Sequence, residues 1–109
     1  MKWLSRKGVR NFEECVELTV DLENRKFTLE YYFNHPMGGG GNSETFAFEE
    51  AAGEKLYGLI EYYGSGSFDD TFGDGSKDEF YRILKMSKAQ FESENLENRE
   101  VLIDMTVNQ

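Results

Sequence analysis

The chain has one thiol and one imidazole that could act together as nucleophile and base, Cys15 and His35. Such chemistry needs the two groups within hydrogen-bond reach and a lowered thiol pKa. In the β-hairpin predicted below, Cys15 lies opposite Asn34 on the outer face of the sheet, whereas His35 has the parity of the inner face. Glu13 and Glu14, next to Cys15, also disfavour its thiolate. The sequence therefore predicts no catalytic thiol.

Three glycine clusters suggest a phosphate-binding loop, but none has the required spacing. A GxGxxG fingerprint needs a third glycine, and the third position holds, in turn, Ser43, Asp69 and Asp78. No Gly-Lys-Ser or Gly-Lys-Thr tripeptide follows, and the neighbouring acids would repel a phosphate. We therefore expect neither a nucleotide nor any other cofactor.

The acidic stretch at 69–79 is similar to a calcium loop in composition only. In a twelve-residue loop that starts at Asp70, residues Asp74 and Gly75 would occupy positions five and six, as a calcium loop requires. Phe72 and Tyr81, however, would occupy positions three and twelve, where oxygen ligands are needed. One Cys and one His cannot supply the four ligands of a structural zinc site. The sequence predicts no regular metal site and leaves open weak cation binding by Asp69, Asp70, Asp74 and Asp78.

Paired carboxylates could perform acid–base or glycosidase chemistry, and an acidic chain offers many pairs. No pair stands out as sharing an apolar pocket, which is the environment that separates two carboxyl pKa values. The sequence therefore favours a protein that is not an enzyme, with a small hydrolase built on an irregular carboxylate pair as an alternative.

Strict alternation of apolar and polar residues predicts a β-hairpin over residues 15–33. With 23–26 as its loop, the predicted cross-strand pairs are Leu22 with Phe27, Val20 with Leu29, Leu18 with Tyr31, and Val16 with Phe33. Each pair joins two apolar residues on one face, and a slip of one residue would turn all of them outward. This face is the expected floor of the core.

The next elements follow from changes in the hydrophobic period. Residues 34–41, with Pro36 and four glycines, predict a connector, and 43–49 predicts a third strand. Helical spacing predicts an amphipathic helix over 50–63, which ends at the Gly-Ser segment 64–67.

A second helix is predicted to follow a loop at 68–75. Ser76 and Glu79 form a capping-box pattern at its start, and Ser87 offers a further capping signal. The rival interpretation is a strand at 80–86, which would place Arg82 on the same face as Phe80 and Leu84. The helix is therefore preferred.

Alternation returns at 101–107 and predicts a last strand, so the element order is βββααβ. We predict an α+β fold in which a small antiparallel sheet, made of the hairpin, the third strand and the C-terminal strand, has two helices packed on one face. At 109 residues, the chain has the size of a single domain, 1–109.

Charge is unevenly distributed along the chain. Residues 1–10 form a basic segment without acids, whereas the remainder carries all 21 acids. Such a surface should repel nucleic acid and anionic lipid and attract a basic protein. The lone cysteine allows no internal disulfide, and no apolar run is long enough for a signal peptide or a membrane span. We therefore expect a cytoplasmic protein that binds neither nucleic acid nor a membrane directly.

Two surfaces are candidates for binding a basic partner. The outer face of the hairpin and third strand would present acids around one aromatic ring, namely Glu17, Asp21, Glu30, Tyr32 and Glu49. The loop at 64–75 would present two aromatic rings among acids, namely Phe68, Asp69, Asp70, Phe72 and Asp74. Burial of both rings under the helices is the alternative for this loop.

The acidic surface favours a stoichiometric inhibitor that blocks a basic partner, such as a nuclease or another nucleic-acid-binding protein. An immunity protein for a nuclease toxin and a phage anti-defence protein are examples of this class. The alternative class is a structural or adaptor subunit that assembles with itself or other chains through an open sheet edge or an apolar patch. Salt distinguishes the two, because binding steered by acids weakens as ionic strength rises and apolar assembly does not.

Overall fold

The computed structural model describes residues 1–9, 12–64 and 66–107. Its elements are, in order, β1 Lys2–Val9, β2 Phe12–Asp21, β3 Lys26–His35, β4 Gly38–Ala47, α1 Glu50–Tyr63, α2 Phe68–Phe72, α3 Ser76–Leu84, α4 Lys88–Ser93 and β5 Glu100–Val107. A single 3-10 turn, Leu96–Asn98, lies between α4 and β5. The structure confirms the predicted α+β class, and its described part has more elements than the βββααβ order predicted.

The strands form one five-stranded sheet in the order β4-β3-β2-β1-β5. β1 to β4 are an antiparallel meander, and β5 lies parallel to β1, so the sheet is mixed rather than wholly antiparallel. The parallel pairing is possible because the long helical segment between β4 and β5 carries the chain back across the sheet. The helices cover one face, which we call the inner face, as predicted.

β1 is a strand in a region where the sequence predicted only a basic segment. Trp3 and Ser5 are buried on its inner face, and the next inward position is Lys7. The Trp3 ring contacts the rings of Phe68 and Phe80 edge-on, with centroids 6.3 and 6.1 Å apart. Because only one of these inward positions is large and apolar, hydrophobic alternation is too weak to reveal the strand.

β2 and β3 form the predicted hairpin with the predicted inner face, but the predicted register is wrong by two residues. The observed pairs are Val20 with Phe27, Leu18 with Leu29, Val16 with Tyr31, and Glu14 with Phe33. Leu22 lies in a turn over 22–25 and inserts into the core with 4% of its surface exposed. Because side chains alternate with a period of two, a shift of two residues keeps each one on its face, so the pattern cannot distinguish the registers.

β4 contains the glycine run that predicted a connector, so that prediction is wrong. β3 continues to His35, and the turn consists of only Pro36 and Met37. A Cβ at Gly39 would lie 2.8 Å from the backbone oxygen of Phe33, which is closer than a real Cβ approaches. The glycines therefore allow β4 to pair with β3 along its full ten residues, rather than loosening the chain.

α1 has the predicted bounds and packs Leu56 and Ile60 into the core with no exposed surface. The predicted capping signal at Ser87 is confirmed, because its hydroxyl oxygen accepts a hydrogen bond from the Gln90 N–H at 3.1 Å at the start of α4. Within the described residues, no helix combines the length and the apolar character needed to cross a membrane.

The segment predicted as a loop at 68–75 contains α2. The Ser67 hydroxyl accepts a hydrogen bond from the Asp70 N–H at 3.2 Å, and the Asp70 carboxylate accepts one from the Ser67 N–H at 3.2 Å. This capping box fixes the start of α2. α3 starts after Gly75, whose φ of 82° favours glycine, so Ser76 is the first helical residue rather than a cap. The helix at 76–84 rules out the rival strand.

The core lies between the helices and the nearer part of the sheet. The ring of Phe80 is 5.2 Å from that of Phe27 and 5.5 Å from that of Phe68. Farther along the same inner face, Phe12, Phe33 and Met105 remain 36–38% exposed. The molecule measures 45 × 24 × 21 Å, because the sheet extends past the helices at the end that carries the β3–β4 turn. We call this part the projecting end.

Candidate protein-binding surface

The open face of the sheet, opposite the helices, carries three of the residues that the sequence indicated for binding. Glu17 lies on β2, and Glu30 and Tyr32 lie on β3, with the outward parity that the hairpin predicted. Tyr32 is 40% exposed. Glu17 and Glu30 are directly opposite each other across the two strands. Like charges in such a pair repel, so the environment of each carboxylate decides what the surface can bind.

The bases of β1 compensate acids on one half of this face. Lys2 Nζ lies 3.0 Å from Glu17 Oε1, Arg6 Nε lies 2.8 Å from Glu13 Oε1, and Arg6 Nη1 lies 3.9 Å from Asp104 Oδ2. The hydrogen bond with Glu17 raises the pKa of Lys2. The base at position 10 lies outside the described residues. The described bases of the segment, Lys2, Arg6 and Lys7, thus pair with acids of their own sheet.

The half of the face formed by β3 and β4 has one base, Lys26, which begins β3 opposite Asp21. From residue 27 to residue 54 the sequence contains five acids and no Lys or Arg. Glu30 is exposed and forms no ion pair with any base of the described residues. Lys2 forms its ion pair with Glu17 and attracts Glu30 only from a greater distance. A cation supplied by another molecule at Glu30 would therefore reduce the repulsion between the two carboxylates.

Cys15 lies on the open face and is nevertheless fully buried. It pairs with Tyr32, not with Asn34 as predicted, which is the same two-residue register shift. Its thiol donates a hydrogen bond to Glu13 Oε1 at 3.4 Å, and burial raises its pKa. The hydrogen bond with the thiol, together with burial, raises the pKa of Tyr32 to about 12. The neighbours therefore cover an un-ionised thiol.

His35 lies on the opposite face from Cys15, at the projecting end. Its Nδ1 accepts a hydrogen bond from the Met37 N–H at 3.1 Å, and its ring lies edge-on to that of Phe12 at 5.7 Å. The separation of thiol and imidazole by the sheet agrees with hairpin parity. The imidazole therefore stabilises the β3–β4 turn by accepting this hydrogen bond.

Asp21 and Glu49 lie away from the centre of the open face. Asp21 ends β2, where its carboxylate accepts hydrogen bonds from the Asn24 side chain at 2.8 Å and the Asn24 N–H at 3.1 Å. These bonds lower the pKa of Asp21. The placement of Glu49 on the third strand is wrong, because β4 ends at Ala47 and Glu49 is the N-cap of α1. Both residues are exposed, but neither adds to the surface around Glu30.

The two aromatic rings indicated for the 64–75 loop are not on the surface. Phe68 and Phe72 are 3% and 1% exposed and belong to the core, so the alternative of burial is the one observed. They pack against each other at 5.3 Å. An exposed aromatic docking loop is therefore absent from this part of the described chain.

The acids of the same segment support the local backbone. Asp69 accepts hydrogen bonds from the N–H groups of Lys77 at 3.0 Å and Gly75 at 3.3 Å, which lower its pKa. Asp70 completes the capping box of α2, and Asp74 is exposed. Across the described ranges, no three His, Cys, Asp or Glu side chains come together to hold a metal ion.

Two parts of the surface were not indicated by the sequence. The bases of β1 were not expected to pair with the hairpin, because β1 itself has little apolar alternation. The edge of β4 was hidden by its glycines. The sequence did contain a signal for a second hairpin. Apolar and polar residues alternate at 27–33, before Pro36 and Met37, and alternate again at 43–48, after them.

Comparison with known proteins yields no match among family models, curated proteins or solved structures.

Proposed function

We propose that this chain is a non-catalytic, acidic binding protein that occludes a basic site on a partner protein. It would belong to the broad class of stoichiometric inhibitors that includes immunity proteins of nuclease toxins and phage anti-defence proteins. The observation that supports this proposal most directly is the exposed Glu30, which forms no ion pair with the described bases and lies beside Glu17 and Tyr32 on an open sheet face.

The positive charges of the chain are largely engaged within the molecule, which supports the same proposal. Ion pairs of 4 Å or less engage Lys2, Arg6, Lys7, Lys55, Arg82, Lys88 and Arg99. Arg25 lies over the Phe48 ring at 5.1 Å, and Lys77 lies over the Tyr57 ring at 4.5 Å. A partner would therefore encounter the excess of acids behind the net charge of −9.

The arrangement fits recognition of a basic protein surface. Carboxylates steer a basic partner at a distance and pair with Arg or Lys on contact, and a half-exposed tyrosine offers a stiff aromatic anchor. Direct contact with nucleic acid is disfavoured, because phosphates would approach the same acids. The single cysteine, Cys15, allows no internal disulfide, which suits a reducing compartment, and we propose that the binding takes place in the cytoplasm.

Charge reversal on the open face tests the proposal. The chain would be immobilised and used to capture proteins from a cell extract at about 0.05 M and about 0.5 M salt. We expect basic proteins at low salt, their loss at high salt, and weakened capture by Glu30→Lys. Glu92→Lys, an exposed acid on α4, is the matched control because it changes the net charge by the same amount.

Captured partners that are acidic, or that remain bound at high salt, would contradict the proposal. Equal weakening by both substitutions would also contradict it, because the effect would then depend on total charge and not on the open face.

The second candidate is a structural subunit that assembles through its sheet. It is favoured by one observation, the exposed apolar side chains of Phe12, Phe33 and Met105 at the projecting end. In that case the chain would form an oligomer whose mass, measured by light scattering, is unchanged by salt and falls with Phe33→Ser. A monomer at all concentrations would contradict this candidate.

A further inference from the structure

β4 is an open edge of the sheet. Among the described residues β3 is its one hydrogen-bonded neighbour, and it runs for ten residues from Gly38 to Ala47. Proteins commonly protect such an edge with lysine, proline or a bulge, because its unpaired backbone groups can pair with another chain. Lysine and proline are absent from β4, and its first four residues are glycines without side chains. The backbone of this edge is therefore accessible.

Hydrogen-bond alternation identifies the backbone groups that point outward. The Phe48 N–H donates to the Arg25 oxygen at 3.2 Å, immediately past the last pair of β3 and β4. Along antiparallel strands, pairs that exchange backbone hydrogen bonds alternate with pairs that do not. The N–H and C=O groups that point toward β3 are therefore those of every second residue, namely Phe46, Glu44, Asn42, Gly40 and Gly38. The residues between them direct N–H and C=O away from β3, namely Thr45, Ser43, Gly41 and Gly39.

A groove runs along the inner side of this edge, between β4 and α1. It is open to solvent, has a volume of about 290 Å³ and is lined by Leu29, Tyr31, Asn42, Ser43, Glu44, Leu59 and Tyr63. The Tyr31 and Tyr63 rings stack with centroids 4.3 Å apart, and the Asn42 Nδ2 donates to the Tyr63 hydroxyl at 3.1 Å. These contacts hold the aromatic wall in place before anything binds, which lowers the ordering cost of binding.

The charge along the edge is negative except at its Ala47 end, where Lys26 pairs with Ala47 and Arg25 lies over the Phe48 ring. Residues 27–63, which include β4 and α1, contain six acids, and Lys55 is their one Lys or Arg. The Lys55 Nζ lies 2.6 Å from Glu44 Oε1, so its charge is already compensated. On the open face, Ser43 pairs with Glu30, which places that carboxylate next to the outward-facing backbone of Ser43.

We propose that β4 receives an extended, basic segment of the partner protein as a sixth, antiparallel strand. This inference rests on the proposed function and specifies how the partner binds. The residues of β4 whose backbone points outward, such as Ser43, have their side chains on the open face. In an antiparallel pair, opposite residues share a face, so the partner residues that hydrogen-bond to β4 also have their side chains there, where Lys or Arg would meet Glu30. The alternate residues direct their side chains into the groove beside Tyr31 and Tyr63, where apolar side chains fit. A second copy of the chain fits less well, because two acidic edges would meet.

Two isomeric peptides test this geometry. The probe is an octapeptide of alternating valine and lysine, acetylated and amidated, titrated into ¹⁵N-labelled protein. We expect amide signals of Gly41, Ser43 and Thr45 to shift and their hydrogen exchange to slow. N-methylation of the lysine backbone nitrogens should weaken binding by at least about tenfold, because those N–H groups donate to β4. N-methylation of the valine nitrogens, with the same composition and charge, should change it by less than about twofold.

A pair of protein variants provides an independent test at one position. Ser43→Pro removes an outward N–H without touching the ladder to β3, and should weaken peptide binding by at least about tenfold. Ser43→Ala keeps the backbone and should bind as the unmodified chain does. Thermal unfolding would verify the fold of both, and if Ser43→Pro does not fold, the two isomeric peptides decide the question.

Equal binding of the two isomers would overturn the proposal, because simple charge attraction would then suffice. Dimerisation through β4, seen as the same amide shifts on raising the protein concentration alone, would overturn it as well. If capture of basic proteins depends on Glu30 but not on the Ser43→Pro change, the proposed function stands and strand addition fails. If the peptide pairs with β4 and no basic protein is captured, strand addition stands and the proposed function fails.

Discussion

The two halves of the sheet differ in how their charged and backbone groups are satisfied. In the half formed by β1, β2 and β5, bases and acids of neighbouring strands lie side by side, as Lys2 and Glu17 do at 3.0 Å. The backbone of β1 and β2 is paired on both sides, and β5 is the second edge of the sheet, next to β1. In the half formed by β3 and β4, Glu30 has no described basic neighbour within ion-pair distance, and β4 ends the sheet.

This difference indicates which half is available to another molecule. A group that is already paired must lose one partner to gain another, so its net gain on binding is small. Glu30 and the outward N–H groups of β4 would exchange water for a partner, and Glu30 would also be relieved of its repulsion by Glu17. Of the two edges, β5 has Asp104 beside Arg6, whereas β4 lies beside Glu30, which forms no ion pair with the described bases. Recognition is therefore expected on the β3–β4 half, with the β1–β2 half as its scaffold.

The largest expected contrast is between two phenylalanines. Phe80 is fully buried against Trp3, Phe27 and Phe68, whereas Phe33 on the projecting end is 36% exposed. Phe80→Ala should lower the free energy of unfolding by about 3–5 kcal/mol, because it leaves a cavity among rings that cannot close. Phe33→Ala should cost about 1 kcal/mol or less, because its ring is already partly hydrated. Urea unfolding measures both, and equal losses would mean that the projecting end belongs to the same core.

A smaller contrast is expected between two glycines. A Cβ at Gly41 would collide with the backbone oxygen of Tyr31, whereas a Cβ at Gly58, on the exposed side of α1, meets nothing within 4 Å. Gly41→Ala should destabilise by about 1–3 kcal/mol through a shift of β4 away from β3. Gly58→Ala should stabilise by about 1 kcal/mol, because alanine favours the helix. Thermal unfolding distinguishes the signs, and a neutral Gly41→Ala would show that the edge adapts freely.

The smallest expected effect concerns pH. The Lys77 N–H, as the main cause, lowers the pKa of Asp69 below its ordinary value. A carboxyl group whose pKa is lower in the folded state stabilises the fold above its unfolded pKa of about 3.9, and this contribution is lost as pH falls through the folded pKa. Stability should therefore fall below about pH 4, and Asp69→Asn should reduce this fall. Glu92→Gln is the control, and an unchanged pH profile for Asp69→Asn would exclude this role.

Much of the fold was predictable because side-chain alternation is local. The inner face of the hairpin, the helix at Glu50–Tyr63 and the last strand are confirmed, since each has several apolar residues at one period. The strand β1 was not predictable from Trp3 alone, and the glycines of β4 have no side chains to alternate. For the binding surface, the positions of Glu17, Glu30 and Tyr32 followed from hairpin parity, whereas the burial of Phe68 depended on α2 packing beneath Trp3.

By itself, the sequence determined which side chains share a face, and it determined the excess of acids after residue 10. These properties depend only on the two-residue period of a strand, the turn of a helix and the composition. The tertiary structure alone decided the strand order, the two-residue register and the pairing of β1 bases with β2 acids. Those features join residues that are distant in the chain, and several arrangements satisfy the same local pattern, so packing selects among them.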